Sequence, residues 1–129
     1  MGTIHTIEEL DIWVEAKRLC VAIRKFKGDF SQTHDYELWN QIQRSSGSVM
    51  DNIAEGHERG GTKEFIHFLS IAKASAGETR SQLHRAIAFQ IIPESSKVLV
   101  EEYAVLSKRI GALMVKLRES NYRETKFKT

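Results

Sequence analysis

Apolar residues recur along most of this chain at alternating steps of three and four, the period of one face of an α-helix. In the first such stretch Ile12, Ala16, Leu19, Ile23 and Phe26 follow one another at steps of 4, 3, 4 and 3. Thr6-Ile7-Glu8-Glu9 before it has the form of a capping box, which predicts a helix start there. Gly28 reads as the end of that helix, and GDFSQTHD as a loop. The second stretch carries Trp39, Ile42, Ser46, Val49 and Ile53 at the same spacing, with Gly56 as its stop. Gly60 and Gly61 suggest a turn, and Thr62 an N-cap for the longest pattern: Phe65, Leu69, Ala72, Ala76, Thr79, Leu83 and Ala86. Pro93 suits the first turn of a fourth helix, carried by Tyr103, Leu106, Ile110, Leu113 and Leu117. Alternation of the strand type is scarce. The expected fold is therefore all-α, an antiparallel up-down four-helix bundle over residues 1–120, with Trp39, Leu69, Leu83, Ile110 and Leu113 buried. Residues 121–129, with three basic side chains, one acid and no apolar period, read as a frayed basic C-terminal tail.

Two of the four segments carry a further stripe. On the third, Ser70, Ala74, Gly77, Ser81 and Ala88 line up opposite the apolar face, with Lys63, His67 and Arg85 around them. A glycine inside a helix costs about 1 kcal/mol relative to alanine. Close approach by another backbone would compensate at Gly77, while a merely permissive surface explains the same residues equally well. On the second segment Gln41, Ser45, Ser48, Asn52 and Glu55 form a polar seam at 4-3-4-3 spacing. Both stripes are candidate second contact faces, and with them an oligomer interface at Ser70, Ala74, Gly77, Ser81, Asn52 and Glu55.

Composition narrows the class. A chain of 129 residues is one ordinary domain, and 41% hydrophobic with 28% charged residues is a soluble, globular balance. No apolar run reaches the ~18 residues of a membrane span, and the N-terminus lacks the basic head and apolar core of a secretion signal, so the expected location is cytoplasmic. Cys20, the single cysteine, lies in an apolar-periodic stretch and reads as a packed thiol. A net charge of +2 does not by itself mark a nucleic-acid binder. Distribution is more suggestive: Lys73, Arg80 and His84 share one helical flank, Lys63 and Arg85 are near it, and Arg123, Lys126 and Lys128 follow in the tail. These five helix positions are the candidate nucleic-acid contacts, with an ordinary solvated charged face as the other explanation.

Val49 to Phe65 is rich in glycines and acids, and invites two chemical readings that both fail. A phosphate loop needs lysine before the hydroxyl and a strand before the loop, whereas Gly60-Gly61-Thr62-Lys63 has the reverse order and follows a helical pattern. Glu64-Phe65-Ile66-His67 is half of a di-iron ligand set, but no second Glu-x-x-His exists and both residues lie off the core stripe. Asp51, Glu55 and Glu58 read as a solvated acidic face. The five histidines show no i, i+4 ligand spacing. No catalytic residue, metal ligand or cofactor site is expected, and the protein is read as a non-enzyme.

Asn52-Ile53-Ala54-Glu55-Gly56, Glu64-Phe65, the helix FLSIAKASAGETRSQL, the Gln41-Ile42-Gln43-Arg44-Ser45-Ser46 entry to the second helix and Ser75-x-x-Glu78 together resemble one family. It is the four-helix-bundle family first noticed as proteins encoded in intervening sequences of bacterial large-subunit ribosomal RNA genes, sometimes labelled a ribosomal protein. The resemblance runs from about Ile12 to about Leu117. Family members often have proline where Met50 stands here. The resemblance implies an antiparallel bundle assembling as a ring-shaped homopentamer with no established catalytic activity. A distantly similar branch serves diversity-generating retroelements, where a basic pentamer engages a reverse transcriptase and its RNA. On this basis the stretch from Val49 to Phe65 is a helix end, a turn and the next cap, with Asn52 and Glu55 as candidates for interhelical hydrogen bonds. Two functions follow: an oligomeric bundle associated with RNA or a nucleic-acid enzyme, and a protein-protein scaffold ring without nucleic acid.

Overall fold

Each apolar stripe becomes the inner side of a helix in the computed structural model of the chain, which describes residues 6–127 and their side chains as far as residue 121. The helices are α1 (Asp11–Arg24), α2 (Lys27–Thr33), α3 (Tyr36–Glu58), α4 (Thr62–Ala88) and α5 (Lys97–Phe127), with 3-10 turns at Ile7–Glu9 and Glu94–Ser96. No strand occurs among the described residues. α4 packs along both α3 and α5, while α1 lies against α3 and the edge of α5. Side-chain bonds fix the directions: Arg85 meets Gln41, Gln82 meets Ser45 and Ser75 meets Ser48, so α3 and α4 run antiparallel. Ile12, Ala16, Leu19 and Ile23 of α1, Ile42, Val49 and Ile53 of α3, Leu69, Ala72, Ala76 and Leu83 of α4, and Tyr103, Leu106 and Ile110 of α5 close one core.

The chain differs from the pattern reading mostly at helix ends. GDFSQTHD is not a loop. It lies largely in α2, because Phe30 is buried against Trp39, with ring centroids 5.0 Å apart, and anchors an extra turn. The break after α1 therefore falls at Lys25 and Phe26, and Gly28 lies inside α2. α2 ends at His34 in the left-handed region, and Asp35 caps α3 by accepting from the Leu38 amide at 3.1 Å. Gly56 does not stop α3, which continues to Glu58; the turn is made by Gly60, whose φ of +80° suits glycine. Gly61, rather than Thr62, is the N-cap of α4, and Pro93 precedes a 3-10 turn, leaving α5 to start at Lys97. The Thr6 hydroxyl reaches the Glu9 carboxylate at 3.3 Å and caps no amide, so only a 3-10 turn forms there and α1 begins after Leu10.

Trp39, Leu69, Leu83 and Ile110 are buried as expected, whereas Leu113 is only partly buried and Met114 takes the core position beside it. α5 passes residue 120 without a break in its helical backbone and ends at Phe127. Cys20 is half-buried with its thiol 3.8 Å from the Ser46 hydroxyl. Arg18 joins α1 to α5 by bonding both Glu15 and Glu102, and these carboxylates hold its guanidinium proton more firmly than usual. Being exposed, this link adds little stability. Tyr103 is fully buried, and its hydroxyl has no partner among the described residues. Burial, aided by the nearby Cys20 thiol, pushes its pKa well above the ordinary phenol value.

Candidate nucleic-acid interface

α4 carries all five basic positions singled out by the sequence, and the structure divides them. Lys63, Lys73, His84 and Arg85 are exposed, and Arg80 is half-buried with its Nε out of reach of solvent and of any partner among the described residues. Lys73 lies along α5: a Cβ built on Gly111 would meet its Cε at 3.3 Å. Arg85 leans the other way and donates to the Gln41 side chain of α3 at 2.9 Å. Lys73, Arg80 and His84 therefore follow the α5 side of α4, with Arg85 on the α3 side and Lys63 at the opposite end of the helix. None of the five has a carboxylate within ion-pairing distance among the described residues, in contrast to Arg18, Arg59 and Lys97. Lys108 and Arg109, one turn from Gly111, are exposed too and were not picked out by the sequence reading. The side chains of Arg123, Lys126 and Lys128 lie outside those described.

The small-residue stripe is open. Ser70, Ala74, Ser81 and Ala88 are exposed, and a Cβ added to Gly77 would meet nothing within 4 Å. No backbone of this chain makes the close approach that Gly77 suggested. The polar seam of α3, in contrast, is directed at α4. Thr79 donates to Ser45 at 2.8 Å, and Ser45 in turn to Gln82 at 2.6 Å. Asn52 donates to the Ser48 hydroxyl at 2.8 Å, and the Ser48 and Ser75 hydroxyls share a hydrogen bond at 2.9 Å. Two short relays thus satisfy hydroxyls that would be costly to bury unpaired. Asn52 reaches α4 only through Ser48, and Glu55 pairs with Arg59 of the α3 terminus at 3.0 Å. Neither makes the direct interhelical bond expected from the sequence. Along the seam, Gln41, Arg44, Ser48, Glu78 and Gln82 line an open groove.

At Gly56, α4 packs close against the backbone of α3. A Cβ there would lie 2.7 Å from the Phe68 Cβ and 3.0 Å from the Phe65 ring. Within the stretches Asn52-Ile53-Ala54-Glu55-Gly56, Gln41 to Ser46 and Ser75-x-x-Glu78, the residues Gln41, Ser45, Gly56 and Ser75 thus serve the α3–α4 interface, while Gln43 and Ser46 meet Arg24 and Cys20 of α1. At the turn, Glu64 and His67 are exposed and apart from the core, and no group of three His, Cys, Asp or Glu side chains able to hold a metal occurs among the described residues. No helix among those residues is long and apolar enough to cross a membrane.

Comparison with known proteins agrees with this architecture. The family of the 23S rRNA-intervening sequence protein matches residues 8–112. A solved structure of a protein with unknown function from the S23 ribosomal protein family of Bacteroides thetaiotaomicron is similar in fold, with a TM-score of 0.66 and 24% sequence identity over 82% of this chain and 96% of that one. No curated protein matches the sequence.

Proposed function

Because this chain belongs to the 23S rRNA-intervening sequence protein family, we propose that it is a non-enzymatic, cytoplasmic bundle protein. In this reading its four long helices form an antiparallel bundle that assembles as a ring, favouring five copies, and the assembled protein associates with RNA. The observation that carries it is the set of exposed basic side chains of α4, Lys63, Lys73 and Arg85 with the His84 imidazole beside them, left without carboxylate partners among the described residues. One protomer presents too few of them to bind RNA well. A ring repeats them around its axis, and phosphate contacts add. A nucleic-acid enzyme such as a reverse transcriptase is a further partner this surface would suit, through the RNA it carries.

The test is a mobility assay on total RNA at moderate salt. Wild-type protein should retard RNA, and Lys63→Glu with Lys73→Glu, both at exposed positions, should weaken the shift while keeping the oligomer. The second reading, a scaffold ring that recruits a protein and no nucleic acid, is favoured by the open small-residue stripe of α4, which offers backbone approach and no charge. Equal mobility of RNA with and without the assembled protein would select it.

A further inference from the structure

α1 and α5 leave a second surface uncovered, on the side of the molecule away from the α4 stripe. Val14 and Val21 of α1 are 48% and 55% exposed, and Val98 and Val105 of α5 are 59% and 56% exposed. Each pair is seven residues apart, two helical turns, so each helix presents a short apolar ridge to solvent. The core cannot claim them: Ile12, Ala16, Leu19 and Ile23 already fill the inner side of α1, and Tyr103, Leu106 and Ile110 that of α5. The α5 ridge borders a groove against Glu15 of α1, and exposed apolar side chains of this kind mark a contact surface.

The charges on α5 say which partner. Val98, Glu101, Val105, Arg109 and Ala112 are exposed and follow one another at steps of 3, 4, 4 and 3, so they share one face. This order is its own complement when reversed. Turning the helix end for end about Val105 sets Glu101 opposite Arg109, Val98 opposite Ala112 and Val105 opposite itself. Neither Glu101 nor Arg109 has an ion-pair partner among the described residues, although both border the open groove beside Glu15 of α1. A surface meant for an unrelated helix has no need of such symmetry; a two-fold contact requires it, since the same patch must meet itself.

We infer that this face docks onto the same face of a second copy of the chain, α5 against α5 antiparallel, with the two-fold axis at Val105 and two Glu101–Arg109 pairs flanking it. This contact uses different residues from the α4 stripe and does not depend on the proposed RNA association.

Site-directed crosslinking and a charge exchange test it on the full chain. Val105→Cys should form a disulfide-linked dimer under mild oxidation, whereas Val115→Cys, exposed on the same helix but off this face, and the wild type with Cys20 alone should not. In sedimentation, Glu101→Arg and Arg109→Glu should each weaken the two-fold association at least about tenfold, by placing like charges together. The double exchange should restore it. The Val105→Cys crosslink should persist in a Gly77→Leu background. Equal crosslinking at positions 105 and 115, a double exchange as impaired as the single changes, or a crosslink lost with Gly77→Leu would each overturn the contact.

Discussion

Leu83 has no solvent-accessible surface, and its neighbours come from several helices around one core. Truncation to alanine should cost about 2–5 kcal/mol, because the rigid surroundings cannot fully collapse into the space. A denaturant midpoint shift worth only a few tenths would mean that the core is closed differently. Tyr103 makes the opposite case. Its ring fills the core, but its hydroxyl is buried without a partner among the described residues. Tyr103→Phe should therefore leave stability between unchanged and about 1–3 kcal/mol higher. The buried phenol also predicts a pH dependence. Above about pH 10 an unfolded chain gives up this proton while the folded one, its pKa raised by burial, retains it. The unfolded state then binds fewer protons, so this contribution to stability is complete below that pH and declines as pH rises. Alkaline denaturation curves of wild type and Tyr103→Phe should diverge in that range, the variant losing less; parallel curves would contradict the burial of the hydroxyl.

At the scale of the helices, two glycines in similar sequence surroundings should respond in opposite senses. Gly56→Ala would press a Cβ to 2.7 Å from the Phe68 Cβ where α3 packs against α4, so a loss of about 1–3 kcal/mol is expected. Gly77→Ala meets nothing within 4 Å, and the bundle should gain up to about 1 kcal/mol from the better helix former. Thermal unfolding of the two variants, compared where each is monomeric, measures both. The sequence misread Gly56 for a physical reason: a helix-ending glycine and one that admits a neighbouring helix look alike until the neighbour is known. The apolar period located α1, α3, α4 and α5 because it records burial directly. It could not reveal α2, a seven-residue helix whose one buried side chain, Phe30, packs against Trp39 in the core. It also assigned Thr79 and Ser46 to apolar stripes, which proved right as to burial. Their hydroxyls, however, serve hydrogen bonds that only the facing helix defines. The five basic candidates were legible as residues of one helix. Their division between the α5 side, the α3 side and the far end was not, since it depends on where α3 and α5 pack.

For the whole molecule, the account joins an assembled bundle to RNA association through α4. Gly77→Leu should block a neighbouring protomer from the open stripe while leaving the single chain folded, and light scattering should show a smaller species than wild type. A monomeric wild type, or an oligomer unaffected by the change, would count against this face. The most direct measurement is a filter-binding titration of RNA across a salt series, with wild type and the Lys63→Glu, Lys73→Glu variant side by side. The account predicts sequence-independent binding by wild type that weakens steadily with salt, as phosphate contacts release counterions, with log affinity against log salt falling by about 0.7 per phosphate neutralised on single strands. The variant should bind all RNAs more weakly, with a shallower slope and unchanged oligomeric state. Absence of wild-type binding at low salt, or binding indifferent to salt and to the two charge reversals, would contradict it.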